Sequence, residues 1–158
     1  WARFAAGTDW QVGDVLRFYG ELKSGGSVDG EVDRWLAQLD LAAWADKKVD
    51  TLSKGMSQKV QFISAVVSKP RLLIMDEPFT GLDQHAAAVL RDLLRRLKGE
   101  GRTVLMISHQ LEHAAELGDR VLVLVNGRIR ADVAGAEAGP DRLPALYLDV
   151  VGRHGGAS

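Results

Sequence analysis

Leu72-Leu73-Ile74-Met75 runs directly into Asp76, Glu77 and Pro78, and this stretch constrains the chain more than any other. Four large apolar residues are too few for the core face of a helix. They do not alternate with polar residues, so they read as a strand covered on both faces, as in a parallel sheet. Such sheets place their chemistry beyond the carboxyl ends of the strands, where Asp76 and Glu77 fall. Successive side chains of an extended segment point opposite ways, so one carboxylate can hold a metal while the other faces a water. Pro78 has no N–H and ends the ladder. Taken alone, the stretch is equally a core strand with a solvated acidic tip.

A second buried strand is predicted over Thr103–Ile107, ending in Ser108 and His109. Between the two lies a helix from Asp83 to Leu97, with Val89, Leu90, Leu93, Leu94 and Leu97 at inward positions and Gly99 and Gly101 beyond its end. Two parallel strands joined by a helix form a right-handed crossover, which brings both polar ends to one edge of the sheet. That shared edge favours a site over a solvated tip. Upstream of Pro70 the pattern is helical. Thr8 or Asp9 can cap a first helix through Leu22, and a second runs over Asp29–Leu39. A third follows the polar stretch Leu52–Gln58, opening at Ser57 or Gln58, with Val60, Ile63 and Val67 on one face. Downstream come a short helix over Leu111–Leu117, a strand over Arg120–Val125, a two-residue Asn126-Gly127 hairpin turn and a short return strand over Arg128–Ala131. Leu143, Leu146, Tyr147 and Val150 mark a closing amphipathic helix, with a loose tail from Gly152. The predicted divisions are residues 1–69, helical; 70–135, α/β; and 136–158, a terminal helix and tail.

Composition removes several classes of function. A net charge of -1 gives no sign of nucleic-acid binding, and the absence of cysteine excludes disulfides, thiolate metal sites and cysteine nucleophiles. The apolar runs fall far short of the ~20 residues that cross a bilayer. No leader pattern is visible, which predicts a cytoplasmic protein. His109 and His113 have the spacing of a helical zinc pair, but Gln110 stands where a metalloprotease helix has glutamate, and no third ligand is evident. His85 and His154 read as solvated, Arg91, Arg95 and Arg96 as the outer face of a helix, and Trp35 and Trp44 as packing residues.

Four stretches, in this order, resemble the motifs of the ABC-type ATPases. Leu52-Ser53-Lys54-Gly55-Met56 resembles the signature, Leu72–Pro78 the Walker B strand with its glutamate, Gly81-Leu82-Asp83 the D-loop, and His109 the switch histidine. The wording is most similar to the ATPase subunits of ABC-2-type exporters. The resemblance implies an α/β fold: the P-loop NTPase-like parallel sheet of the carboxyl-terminal part of a nucleotide-binding domain, preceded by a helical subdomain. It implies ATP as substrate, with Asp76 steadying Mg²⁺ through water, Glu77 as general base and His109 at the γ-phosphate. Ser53, Lys54, Gly55, Met56 and Gln58 would face ATP held by a second ATPase subunit, and Asp83 would communicate across that dimer. The implied partner is a transmembrane permease, with the ATPase peripheral on the inner face of the membrane and no nucleic acid bound. Lys54 stands where the commonest signature has glycine, and Met56 where it has glutamine.

No Gly-Lys pair occurs, so the phosphate-gripping loop G-x-x-x-x-G-K-[ST] is not in this sequence. The chain also opens at Trp1 in mid-pattern, and the expectation is the carboxyl-terminal part of a longer ATPase, inactive by itself. The strand that leads into the phosphate loop would lie between Thr103–Ile107 and Arg120–Val125, leaving a slot in the sheet. Two other readings stand beside this one: a non-catalytic module that donates only its signature face, and an ABC ATPase with no transport role.

Overall fold

The computed structural model describes residues 9–154. The cap expected at Thr8 and the end of the tail lie outside them. The chain divides into two compact units, with the boundary between Met106 and Ile107.

The first unit begins with α1 (Val12–Ser24), α2 (Asp29–Gln38) and α3 (Lys54–Val66), with two 3₁₀ turns, Ala42–Trp44 and Val49–Thr51, between α2 and α3. Asp9 does not cap α1; it is ion-paired with Lys48. The orphan amides of the first turn are met instead by backbone. Val12 N–H donates to Lys47 C=O at 3.0 Å and Gly13 N–H to Ala45 C=O at 2.8 Å. Gly25, at φ 73°, closes α1 in the left-handed conformation. The three helices bury Val12, Val15, Leu16, Val32, Trp35, Val60 and Ile63 in one core. Trp35 is the largest of these; it meets Phe62 edge-on at 5.7 Å and carries the Arg34 and Arg96 guanidinium groups over its ring.

β1 (Leu72–Asp76), α4 (Gln84–Gly99) and β2 (Thr103–Ile107) form the predicted crossover. The two strands pair, and Thr103 N–H donates to Arg71 C=O at 2.9 Å. Start therefore meets start, and the strands are parallel. One expectation fails. β1 is covered on one face only: Leu73 and Met75 are buried, whereas Leu72 and Ile74 are 52% and 60% exposed. On β2, Leu105 and Ile107 are 49% and 55% exposed. An unbroken apolar run shows that both faces suit an apolar neighbour, but the described residues supply cover for one.

The second unit holds α5 (Leu111–Leu117), β3 (Arg120–Val125), β4 (Arg128–Ala134) and α6 (Arg142–His154). β3 and β4 are an antiparallel hairpin turned by Asn126 and Gly127, both at positive φ, with a register shift between Val123 and Leu124. β4 extends three residues beyond Ala131, and Arg120 pairs with Asp132 across the ladder. α6 buries Leu143 and Val150 and runs through Gly152 to His154, where a loose tail is expected from sequence. The described strands thus make two separate two-stranded sheets, β1-β2 and β3-β4.

Two stability measurements test this packing. Ile63→Ala is expected to cost about 2–5 kcal/mol in urea unfolding, because the site is fully enclosed. Glu31 lies between Lys69, at 2.8 Å, and Arg34. Burial raises its pKa, but the hydrogen bonds and charges of Lys69 and Arg34 together outweigh this and hold it below the ordinary carboxylate value. A depressed folded pKa stabilises above the unfolded value and is lost as pH falls through the folded one. Glu31→Gln should therefore lower the urea midpoint at pH 7, and the difference should close as pH falls through the lowered folded pKa.

Candidate functional site

The site is built on the turn that follows β1. Asp76 ends the strand, exposed, and its carboxylate makes no hydrogen bond or ion pair among the described residues. Glu77, half-buried, has φ 48°, in the left-handed region that side chains avoid. This conformation costs an ordinary residue about 1–2 kcal/mol and marks places where the surroundings over-determine the backbone. Here the Glu77 carbonyl accepts from Thr80 N–H at 3.1 Å and from the Gln58 side-chain amide at 3.3 Å. Pro78 and Phe79 are buried and anchor the turn to the core. Gly81, at φ 80°, ends it, and Asp83 begins α4 by accepting from Ala86 N–H at 2.8 Å. Asp83 therefore has a clear local task as the helix cap.

α3 begins at Lys54, not at Ser57 or Gln58 as the sequence suggests. Ser53 is the reason. Its backbone is extended and its Oγ accepts from Met56 N–H at 3.2 Å, the geometry of an N-cap. The first turn contains no acidic residue. Lys54, exposed, is its first residue and adds a cation to the positive end of the helix, an arrangement unfavourable by about 0.3–1 kcal/mol without an anion. The start of α3 packs on the β1 turn. A Cβ at Gly55 would lie 3.5 Å from the Gly81 carbonyl, and one at Gly81 would meet Lys54 Cε at 3.2 Å. Lys54 thus lays its aliphatic stem across Gly81. Met56 is half-buried in the same turn.

The first unit therefore brings together Ser53, Lys54, Gly55 and Gln58 with Glu77 and Gly81, flanked along the chain by Asp76 and Asp83. His109 belongs to the second unit, where it is exposed in the link before α5; there Gln110 N–H donates to Ser108 Oγ at 3.1 Å. Thr80 carries no motif signal, yet its N–H holds the Glu77 carbonyl; its own Oγ1 is buried without a hydrogen-bond partner among the described residues. Among those residues no group of three or more His, Asp or Glu side chains could hold a metal ion. One open carboxylate, Asp76, does suit Mg²⁺, which keeps several waters and takes one or two carboxylates beside substrate phosphates. A depression of about 360 Å³ lined by Gln38, Val89, Asp92, Leu93 and Arg96 contains none of the candidate residues.

A family profile described as "ABC transporter" matches residues 8–80. An uncharacterized ABC transporter ATP-binding protein of Methanocaldococcus jannaschii is 43% identical over 122 residues, which are 76% of this chain and 47% of that protein. A daunorubicin resistance ATP-binding protein of Streptomyces coeruleorubidus is 36% identical over 147 residues, 89% of this chain and 45% of that protein. A solved structure described as the ATP-binding subunit of an ABC transporter superposes with a TM-score of 0.74 at 28% identity, covering 86% of this chain and 62% of the other. The chain spans about half the length of the curated relatives it matches.

The turn predicts two stability changes of opposite sign. Glu77→Gly removes the left-handed penalty and should raise unfolding stability by about 0.5–1 kcal/mol, net of the entropy glycine adds to the unfolded chain. Gly81→Ala introduces that penalty and a contact with Lys54, and should lower stability by about 1–2 kcal/mol. Urea midpoints of the two variants measure both.

Proposed function

We propose, since the chain belongs to the family of ABC transporter ATP-binding proteins, that it carries the signature and the hydrolytic carboxylates of an ATPase that dimerises to drive a membrane permease. The observation that carries this reading is the packing of the Ser53–Gly55 turn against the Glu77–Gly81 turn. It joins an anion-favouring helix start to an acidic strand end inside one unit. Phosphoryl transfer to water depends mainly on positioning and on stabilising charge. Glu77 orients and polarises the attacking water as general base. Asp76 would hold Mg²⁺, and that ion, when bound, would offset charge on the phosphates. His109 contacts the γ-phosphate. Ser53, Lys54, Gly55 and Met56 face the ATP of the opposite subunit, with backbone amides at the helix start suited to phosphate oxygens. Asp83 lies on the loop that meets that subunit.

The phosphate grip itself comes from residues outside these 158, since no Gly-Lys pair is present. The bare face carrying Leu72, Ile74, Leu105 and Ile107 supports a further part of the domain packing there. No helix among the described residues is long and apolar enough to cross a membrane. In this reading the permease supplies the pathway, with the ATPase on its cytoplasmic side. A relative named for daunorubicin resistance supports export as the direction.

The test is made in the full-length protein. Glu77→Gln should lower ATP turnover at least about a hundredfold while ATP binding and ATP-dependent dimerisation persist. Hydrolysis that survives the substitution removes Glu77 from the role of base.

A further inference from the structure

We infer that Gln58 is a positioning residue for Glu77 within its own chain: its side-chain amide clamps the Glu77 carbonyl and so sets the direction in which the Glu77 carboxylate leaves the turn. This deepens the proposed hydrolytic role of Glu77 and rests on it. By resemblance Gln58 belongs with residues that face nucleotide on another subunit, but its side chain is already engaged here.

Three observations on this turn carry the inference. The contact is a part-buried side-chain hydrogen bond of 3.3 Å spanning 19 residues, from the second turn of α3 to the turn after β1. A carbonyl can only accept, so the group facing it is the NH₂ of Gln58, and the amide orientation is fixed by its partner. Glu77 has φ 48°, where an unrestrained glutamate would relax to negative φ and swing its Cβ. The carbonyl orientation is the ψ of Glu77, so a donor on that oxygen restrains the torsion next to the strained one. Thr80 N–H donates to the same oxygen from within the turn, and Gln58 donates to it from α3. Gln58 is the donor that belongs to a different element. Around it, Phe62, Pro78, Leu82, Ala86 and Leu90 line the same narrow crevice, an apolar setting in which the amide has a partner on the turn.

The consequence is a link between two functions. The helix that begins with Ser53 and Lys54 also holds the peptide of Glu77. A displacement of the α3 start on meeting its anion is transmitted through one rigid turn of helix to the residue that orients water.

The experiment uses the full-length ATPase, with steady-state ATP hydrolysis measured for Gln58→Met, which keeps the length and removes the donor, and for Gln58→Lys, which keeps a donor at the tip. Gln58→Met should lower kcat about tenfold or more with the KM for ATP unchanged, because misplacing a catalytic group by a fraction of an ångström to one ångström costs up to about a hundredfold. Gln58→Lys should recover most of that loss. In a Glu77→Gln background, Gln58→Met should slow the residual turnover no further, since the two residues act as one unit. A raised KM at unchanged kcat would place Gln58 on nucleotide, and unchanged kinetics would detach it from the site; either overturns the inference. Glu77→Gln alone separates the two levels. If it remains active, the hydrolytic role of Glu77 fails and the inference with it. If it is inactive while Gln58→Met is unaffected, only the link fails.

Discussion

Two hydrogen bonds converge on the Glu77 carbonyl, and the geometry of the candidate site depends on them. Each contributes about 0.5–1.5 kcal/mol net, whereas the left-handed backbone at Glu77 costs about 1–2 kcal/mol. The terms are of similar size, so neither donor alone comfortably outweighs the strain. Thr80 closes the turn on itself, and Gln58 ties it to α3. The far end of the same turn is touched by α3 again, through Gly55 and the stem of Lys54 against Gly81. One helix therefore braces the turn at both ends, and buried Pro78 and Phe79 hold its middle. An acidic strand end held this way is preorganised, which is the property a hydrolytic carboxylate needs.

Much of this was legible in the sequence, and the limits have physical causes. The helical period put Val60, Ile63 and Val67 on one face, and all three are buried. The crossover and its parallel strands followed from two apolar runs joined by an amphipathic helix. Asn126-Gly127 announced its turn because both residues tolerate positive φ. Glu77 adopts the same region with no such announcement, since glutamate has no local preference for it and one of the two hydrogen bonds on its carbonyl comes from 19 residues away. The start of α3 was misplaced for a related reason. Ser53 was assigned to a ligand by its motif in preference to a helix-capping role, and it forms that cap with Met56 N–H. The apolar run of β1 was a reliable sign of strand and an unreliable sign of covering, because hydropathy records what a face will accept and not what is there.

That uncovered face bears on the site itself. Leu72, Ile74 and Asp76 alternate with Leu73 and Met75, so the carboxylate of Asp76 emerges on the bare side of β1. An apolar cover on that side would lower the dielectric around the strand end and strengthen each charge interaction there. Water now reaches the same surface. Parallel sheets are buried on both faces almost without exception, and the match to this chain spans about half of the relatives' length. The face and the acidic edge are thus parts of one surface, and an element packed on Leu72 and Ile74 would also border Asp76.

The two capped helices beside the turn show how local rules were followed in one place and broken in another. α4 starts with the carboxylate of Asp83 and carries Arg96 and Lys98 in its last turn, so both ends complement the helix dipole. α3 starts with a neutral hydroxyl and a lysine, with no acidic residue in its first turn. Both caps satisfy an amide, so folding alone gives no reason for the difference in charge. The positive potential at the start of α3 is left standing beside a strained glutamate, and nearby rules of helix and backbone are breached together. Local conflicts of this kind gather where surroundings have been arranged for a ligand instead of for stability. At α3 an anion would offset the unfavourable charge, and the same helix holds the Glu77 carbonyl through Gln58.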